Sequence, residues 1–418
     1  MIVFGTDGWR GLIARDFTFS NLDVVALATA RYIKKIAVTN PSVVIGYDTR
    51  FLSKEFAMET AQVLASQDII VHLTEKFSST PQVSYHTKQK GASLGIVITA
   101  SHNPPAYNGF KIKANFGGPA TPEQIALVET ELKKVTTVAA KLTLKPFDFY
   151  VKNRKIRLFD AKESYLRYIR KKIDLELVRK AGFKVLNDPM YGAGMNTLNN
   201  LIPNVDQLHN VFNPSFGNID HPEPISEQLL EMIDLMKVKH YDIGIATDGD
   251  ADRLGAFDSE GNFVDSHKIF MIMLKYLYEV KKKRGAVAKT ISVTSMVNKY
   301  CDKKGIQLFE TPVGFKYISK LMITNKIVIG GEESGGLGTI LHIPERDGIF
   351  NALLLMEIMA VRKKSLKELC EELDEEFGTH RYWRRDVIVT TQQKAAILSA
   401  CQKDLKKIGR FNVIRTDN

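Results

Sequence analysis

The chain has 418 residues, 44% of them apolar and 25% charged, which excludes a disordered or fibrous chain and is too long for one ordinary core. The formal charge of +11 admits nucleic acid, a membrane surface or anionic small molecules as partners. The densest basic runs, residues 281–284 and 362–364, fall near expected helix ends, and no aromatic-basic interleaving marks a strand-binding groove, so small anions are favoured over nucleic acid.

In chain order, the start opens directly on Val3 and Phe4 without a basic leader region, so no signal peptide is expected. Amphipathic periodicity predicts helices over residues 21–37, 54–67, 123–134, near 160–172, and over 226–239, 268–283 and 314–323. Three apolar strands alternate with them, each running into a polar loop: Gly95-Ile-Val-Ile-Thr-Ala-Ser101, Ile243-Gly-Ile-Ala-Thr-Asp248 and Ile327-Val-Ile-Gly-Gly-Glu332. Strands alternating with helices predict α/β layers, and three similar units predict three related α/β domains whose loops meet in one cleft. A basic, aromatic stretch at 145–157 reads as a connector, and Asp258-Ser-Glu-Gly261 with a strand at 262–264 closes the second unit. The apolar run at 349–361, interrupted by Asn351 and Glu357, is too short for a bilayer and predicts a buried helix. The acidic segment 371–376 and Gly378 end a further helix. A strand (385–390), a helix (392–408) and a strand (411–415) follow, a segment of about 40 residues, below the size that usually folds alone. Cys301, Cys370 and Cys401 are scattered and odd in number, which fits a reducing cytoplasm and gives neither a disulfide frame nor a zinc spacing.

The strongest chemical signal is Asp248-Gly-Asp-Ala-Asp-Arg253. On an extended segment, carboxylates at i, i+2 and i+4 share one side and repel unless a cation lies between them. Oxygen-only ligands favour Mg²⁺ or Ca²⁺. An EF-hand fails, because its sixth position would be Gly and is Arg253, and its twelfth would be Glu and is Ser259. The plainer alternative is a solvated acidic turn. Mg²⁺ is typically completed by phosphate oxygens, and Arg253 can grip a phosphate bidentately, so the site points to phosphoryl chemistry.

Ser101, in the Thr99-Ala-Ser-His-Asn-Pro-Pro105 loop, reads as an exposed serine at a strand end. No G-x-S-x-G elbow surrounds it, since Thr99 and Asn103 stand at the Gly positions, and His102 as its neighbour turns onto it poorly as a base. A phosphate on Ser101 would bring about −1.5 to −2 charge, for Mg²⁺, Lys111 and Arg253 to balance. A structural loop serine is the alternative. Glu332 and Ser334, in Gly331-Glu-Glu-Ser-Gly-Gly336, suit vicinal sugar hydroxyls or make a plain turn. Weaker signals are Thr311, Gly314 and Lys316, in Thr311-Pro-Val-Gly-Phe-Lys316, for backbone approach and an anion, and Arg10 in Thr6-Asp-Gly-Trp-Arg-Gly11, facing the cleft or solvent.

Together these segments, with Asn108-Gly-Phe-Lys111 and His342-Ile-Pro-Glu-Arg-Asp-Gly348, resemble the α-D-phosphohexomutase superfamily, the phosphoglucomutase/phosphomannomutase family. The resemblance runs from residue 1 to the end. It implies three α/β domains around a central cleft plus a fourth, α+β domain. The corresponding limits are 1–145 (phosphoserine loop), 146–264 (metal), 265–372 (sugar recognition) and 373–418 (a partial last domain). It implies a cytoplasmic enzyme, monomer or homodimer, that interconverts glucose or mannose 1-phosphate and 6-phosphate. Phosphorylated Ser101 would give up and regain phosphate through a hexose 1,6-bisphosphate, which also serves as activator. One Mg²⁺ per chain would be held by Asp248, Asp250, Asp252 and the phosphoserine. Arg10 and Lys111 would be acid/base groups, with His102 and Arg253 completing the catalytic set. A Lys so used is expected to have a depressed pKa. Thr311, Gly314, Lys316, Glu332 and Ser334 would hold substrate. The family's R-x-S-G-T-E-P phosphate loop is missing, so a truncated product is expected, and a non-catalytic or impaired sugar-phosphate-binding relative is the competing reading. A phosphatase using the Asp loop as nucleophile leaves Ser101 and Glu332 without roles.

Overall fold

Three times the chain sets a short, wholly buried strand inside a mixed sheet, with a parallel neighbour on one side and an antiparallel one on the other. The computed structural model describes residues 2–36, 39–139, 142–384, 387, 389–401 and 406–412, except the side chains of 136–139, 391, 408 and 411. Residues 1–379 form one unit and residues 380–418 a second.

The first sheet is built from β1 (Trp9–Leu12), β2 (Ser42–Tyr47), β3 (Ile70–Thr74), β4 (Leu94–Ile98), β5 (Tyr107–Ala114), β6 (Gly118–Pro119) and β7 (Ile156–Phe159). Its order is β1-β5-β4-β2-β3-β7, with β6 beside β5. Helices α1 (Phe19–Ile36), α2 (Ser53–Ser66), α3 (Thr80–Gln89), α4 (Pro122–Ala139) and α5 (Phe147–Lys152) accompany it. The expected connector at 145–157 is instead α5 and the start of β7, which pairs parallel to β3 from Val71↔Ile156 to Thr74↔Phe159. That pairing covers a β3 edge whose N–H and C=O groups would otherwise lie open.

The second sheet follows α6 (Lys162–Arg170) and α7 (Leu175–Ala181), with β8 (Val185–Asp188), β9 (Val205–Gln207), α8 (Leu230–Lys239), β10 (Ile243–Thr247), β11 (Leu254–Phe257) and β12 (Phe263–Val264). Its order is β12-β11-β10-β8-β9. The third has α9 (Ser266–Lys275), β13 (Ala286–Thr290), α10 (Met296–Lys304), β14 (Leu308–Thr311), α11 (Phe315–Thr324), β15 (Ile327–Gly331) and β16 (Leu337–Thr339), in the order β14-β13-β15-β16. The helix expected over 268–283 passes into a π-turn at Tyr276–Val280, where the Tyr276 hydroxyl donates to buried Glu357 at 2.7 Å and Lys281 pairs with the same carboxylate at 2.8 Å. The helix expected over 226–239 begins as a 3₁₀ turn before α8.

Helices α12 (Gly348–Arg362) and α13 (Leu366–Phe377) close the unit. The run read as a buried helix is α12, whose Leu353, Leu354, Leu355 and Met356 are all fully buried. Apolar residues around the whole circumference mark a helix enclosed by protein. One core joins α12 to strands of both the second and third sheets, through Ile243, Ile245, Val287 and Ile329. The first sheet has its own core.

In the second unit α14 (Thr391–Cys401) is followed by β17 (Lys407–Ile408) and β18 (Phe411–Asn412), which pair antiparallel. The helix expected over 392–408 ends at Cys401, with 402–405 outside the described residues and 407–408 forming β17 instead; the strand expected over 411–415 is β18 as far as it is described, and the strand expected at 385–390 falls in part on undescribed residues. Among the described residues, no helix is long and apolar enough to cross a membrane.

Candidate active site

The three polar loops leave the carboxyl ends of β4, β10 and β15 and return as the antiparallel strands β5, β11 and β16. Each therefore sits at the carboxyl end of a strand, the edge at which open α/β sheets hold ligands.

After β4, the Thr99 hydroxyl accepts from the Ser101 N–H at 2.8 Å, and Ser101 turns into the left-handed region at φ 56°. Its hydroxyl then donates to Asp248 Oδ2 at 2.7 Å. Ser101 is not exposed as expected: only 1% of its surface is accessible, because the Asp248 loop lies on it. Gly249 permits that closeness, since a Cβ there would lie 2.5 Å from the Ser101 carbonyl oxygen. His102 Nδ1 stands 3.4 Å from Ser101 Oγ, so the neighbouring ring does turn toward the serine. Burial, then Arg253, Arg10 and Lys111, hold its pKa well below the usual histidine value, which keeps the ring neutral.

After β10 the carboxylates of Asp248, Asp250 and Asp252 converge, with one oxygen from each inside a 4.8 Å group. The expected extended geometry is replaced by a turn. Ala251 N–H bonds Asp248 O at 2.9 Å, Ala251 takes φ 57°, and Asp248 Oδ1 accepts from the Asp252 and Arg253 N–H groups at 3.0 and 3.1 Å. All three acids are fully buried. Burial and repulsion from Asp250 and Asp252 drive Asp248 well above the carboxylate range. Asp250 shifts down, because Lys111 and the Thr80 hydroxyl outweigh its own burial. Asp250 Oδ1 and Asp252 Oδ1 are buried with no hydrogen-bond partner among the described residues. Orphaned anionic oxygens beside a strained third carboxylate fit a divalent cation.

Lys111, on β5, is fully buried and pairs with Asp250 at 2.7 Å, Asp7 at 2.9 Å and Asp252 at 3.2 Å. Burial alone would lower its pKa, but these three carboxylates outweigh it and raise the value, opposite to the depressed lysine expected. Arg253 is likewise committed, at 2.8 Å from Glu223 and 3.9 Å from Asp248. Arg10, partly buried on β1, faces the Ser101 loop and donates to Asn103 Oδ1 at 2.5 Å.

After β15, Glu332 Oε1 accepts from the Gly314 N–H at 3.0 Å and Oε2 from Arg346 at 3.2 Å. The loop reaches the start of β11, where Leu254 N–H bonds Gly335 O at 3.2 Å and a Cβ on Gly335 would strike the Leu254 carbonyl at 2.5 Å. Ser334 is half-buried on this loop. Lys316, on α11, reaches Gly5 O at 3.4 Å, whereas the Thr311 hydroxyl is turned to its own backbone, 3.1 Å from Pro312 O. Among the described residues, no hydrogen bond brings Thr311 onto the carboxylate group.

Sequence reasoning missed the groups that tie these loops together. Arg346, buried before α12, holds Asp7 at 2.5 Å, Asp252 at 2.6 Å and Glu332 at 3.2 Å. Thr80, opening α3, donates to Asp250 Oδ2 at 2.5 Å and through its N–H to Asp250 O at 3.0 Å. Asp7 and Arg346 lie inside motifs already singled out for other residues, but nothing local says that they meet. Asp48 and Arg50 follow the buried strand β2 in the same strand-then-polar-loop pattern, a signal that was legible and unused.

Phosphoglucomutase/phosphomannomutase α/β/α domains I, II and III match residues 1–139, 163–261 and 265–377. The chain belongs to this family, within the α-D-phosphohexomutase superfamily, and is an enzyme of its phosphate-transferring mutase class. It is 32% identical to a phosphoglucosamine mutase of Carboxydothermus hydrogenoformans over 89% of this chain and 82% of the relative. It is 28% identical to a phosphoglucomutase/phosphomannomutase of Thermococcus kodakarensis over 92% and 83%. A crystal structure from Thermus thermophilus carrying a provisional phosphomannomutase name superposes with TM-score 0.81 at 32% identity, covering 90% of this chain and 83% of that one.

Proposed function

We propose that the enzyme interconverts hexose 1-phosphates and hexose 6-phosphates by way of a phosphate carried on Ser101, with a hexose 1,6-bisphosphate as the turning intermediate. The observation that carries this reading is the 2.7 Å bond from Ser101 Oγ to Asp248 in a buried group of three carboxylates. A serine used only for structure has no need of such a group at its hydroxyl.

Asp248, Asp250 and Asp252 would hold Mg²⁺, which when bound offsets phosphate charge and leaves the phosphorus open to attack. Neutral His102, 3.4 Å from Ser101 Oγ, accepts the serine proton. Lys111 stays protonated among its carboxylates and serves as a fixed positive charge beside the sugar oxygen. Arg10 and Arg253 flank the serine and stabilise transferred phosphate. Glu332 and Ser334 hold the sugar hydroxyls common to both orientations, with Gly314 N–H fixing the Glu332 carboxylate and the Lys316 ammonium available to the second phosphate.

The hexose is glucose or mannose in this reading. A glucosamine phosphate is the second reading, favoured by the name of the relative at 32% identity. Side-by-side rates with the three 1-phosphates decide between them. Intact-mass measurement after exposure to hexose 1,6-bisphosphate is expected to show one phosphate on a Ser101 peptide. Full mutase activity in Ser101→Ala would overturn the reading.

A further inference from the structure

Arg50 follows β2 and has no part in the relay above, yet its whole donor capacity is spent on the Ser101 loop and on one acid that supports it. A guanidinium has five N–H donors in a planar fork. Here Nη2 donates to Ser101 O at 2.7 Å and Asn103 O at 2.6 Å, and Nη1 to Pro104 O at 2.8 Å and Tyr107 O at 3.1 Å. Nε donates to Asp48 Oδ2 at 3.1 Å. The ring of Phe216 covers the guanidinium carbon at 4.9 Å, and Arg50 is buried.

Asp48 extends the clamp to the other side of the serine. It accepts from the Thr99 hydroxyl at 2.6 Å, and that hydroxyl accepts from the Ser101 N–H at 2.8 Å. The Ser53 hydroxyl and the Arg50 N–H fill Asp48 Oδ1, at 2.7 and 3.0 Å. The Ser101 peptide groups are therefore held from both directions, the N–H through Thr99 and Asp48 and the C=O by Arg50 directly.

We propose that Arg50 is a positioning residue for the mutase reaction, fixing the Ser101 backbone so that Oγ keeps one line of approach with and without phosphate. This rests on the reading of Ser101 as the phosphate carrier. Three carbonyl oxygens of the Ser101 loop and that of Tyr107 at the start of β5 converge on a single buried point, an arrangement that repels itself unless one multidentate cation fills it. Lysine, with a compact ammonium, cannot span them. Ser101 is a non-glycine residue at φ 56°, a conformation that persists only where its surroundings over-determine it. The clamp grips carbonyls and leaves Oγ free of it, so it is indifferent to whether Oγ carries a proton or a phosphoryl group. In the loading step the Ser101 Oγ–P bond forms as the P–O bond to the sugar breaks, and the serine proton, taken by His102, passes to the departing sugar oxygen. Both directions of transfer then use the same backbone frame.

The test uses the full chain with Arg50→Lys, Thr99→Val and Thr99→Ser, each checked for folding by circular dichroism and thermal midpoint. The readouts are the single-turnover rate of Ser101 phosphorylation by hexose 1,6-bisphosphate, followed by intact mass, and kcat and KM with hexose 1-phosphate. A reacting atom displaced by about 1 Å costs on the order of 100-fold, so folded Arg50→Lys is expected to lose at least about ten-fold in phosphorylation rate and kcat together, with KM within about three-fold. Thr99→Val is expected to fall in the same way and Thr99→Ser to recover most of the rate. Rates within about three-fold of wild type, or a loss carried by KM, would overturn the inference. Should Arg50→Lys fail to fold, Thr99→Val against Thr99→Ser decides on the same terms. A Ser101→Ala control separates the two readings. If it stays active the phosphoserine reading itself fails, and if it is inactive while Arg50→Lys phosphorylates normally only the clamp fails.

Discussion

The Ser101 hydroxyl donates to Asp248 Oδ2 at 2.7 Å across 147 positions of sequence, and this bond joins the loop after β4 to the loop after β10. It also sets the charge problem of the site, because Asp248 is buried beside Asp250 and Asp252 and is driven well above the carboxylate range by burial and by their repulsion.

A divalent cation removes that repulsion, so chelation should suppress turnover and added Mg²⁺ should restore it. Binding to the folded state alone stabilises it by about 2.7 kcal/mol at ligand concentrations roughly 100 times Kd. The thermal midpoint of chelator-treated protein is therefore expected to rise with added Mg²⁺, and that of Asp250→Asn to rise much less. Equal shifts in both proteins would mean the cation binds elsewhere.

Gly249→Ala tests the fit between the two loops. The added Cβ would lie 2.5 Å from the Ser101 carbonyl oxygen, a backbone atom that is itself held by Arg50 at 2.7 Å. Overpacking of this kind costs about 1–3 kcal/mol. Because the forced movement falls on the serine loop, kcat should drop by at least about ten-fold while the protein stays folded. Steady-state kinetics alongside urea unfolding checks both.

Arg346 is buried against Asp7, Asp252 and Glu332, at 2.5, 2.6 and 3.2 Å. Removing one partner of a buried ionic group leaves uncompensated charge and typically costs about 3–5 kcal/mol. Arg346→Met should lose stability in that range by urea unfolding at neutral pH. A loss below about 1 kcal/mol would show that water reaches the three carboxylates.

Asp23, on α1, is raised from 3.8 to about 7 by burial and then by Glu59 on α2. Between those two values the native state holds more protons than the unfolded one, so this group makes stability fall as pH rises from about 4 to 7 and level off above. Asp23→Asn should flatten that slope and gain stability at pH 8. Urea midpoints of both proteins at pH 5 and 8 measure it, and parallel slopes would count against a raised Asp23.

The three strand-then-loop units were legible because each depends on local pattern. An apolar run long enough for one strand, broken by Gly, Ser or acid, is specified by residues within a dozen positions of one another, and β4, β10 and β15 emerged where it placed them. The buried helix α12 was legible for the same reason. The 145–157 segment was not, because pairing of β7 with β3 joins residues about 85 positions apart and leaves no local mark.

By itself the sequence determined the chemistry available: one serine, three carboxylates and a polar Gly-rich turn, each at a strand end. Only the tertiary structure decided what those groups do to one another. It buried Ser101 against Asp248, turned Asp250 into a partner for Lys111, and raised the lysine pKa that sequence reasoning expected to fall. It also brought in Arg50 and Arg346, whose roles exist only where distant loops converge. The physical reason is that propensity and periodicity act over a few residues, whereas burial, Coulomb interaction and multidentate hydrogen bonding act between whatever the fold sets within a few ångströms.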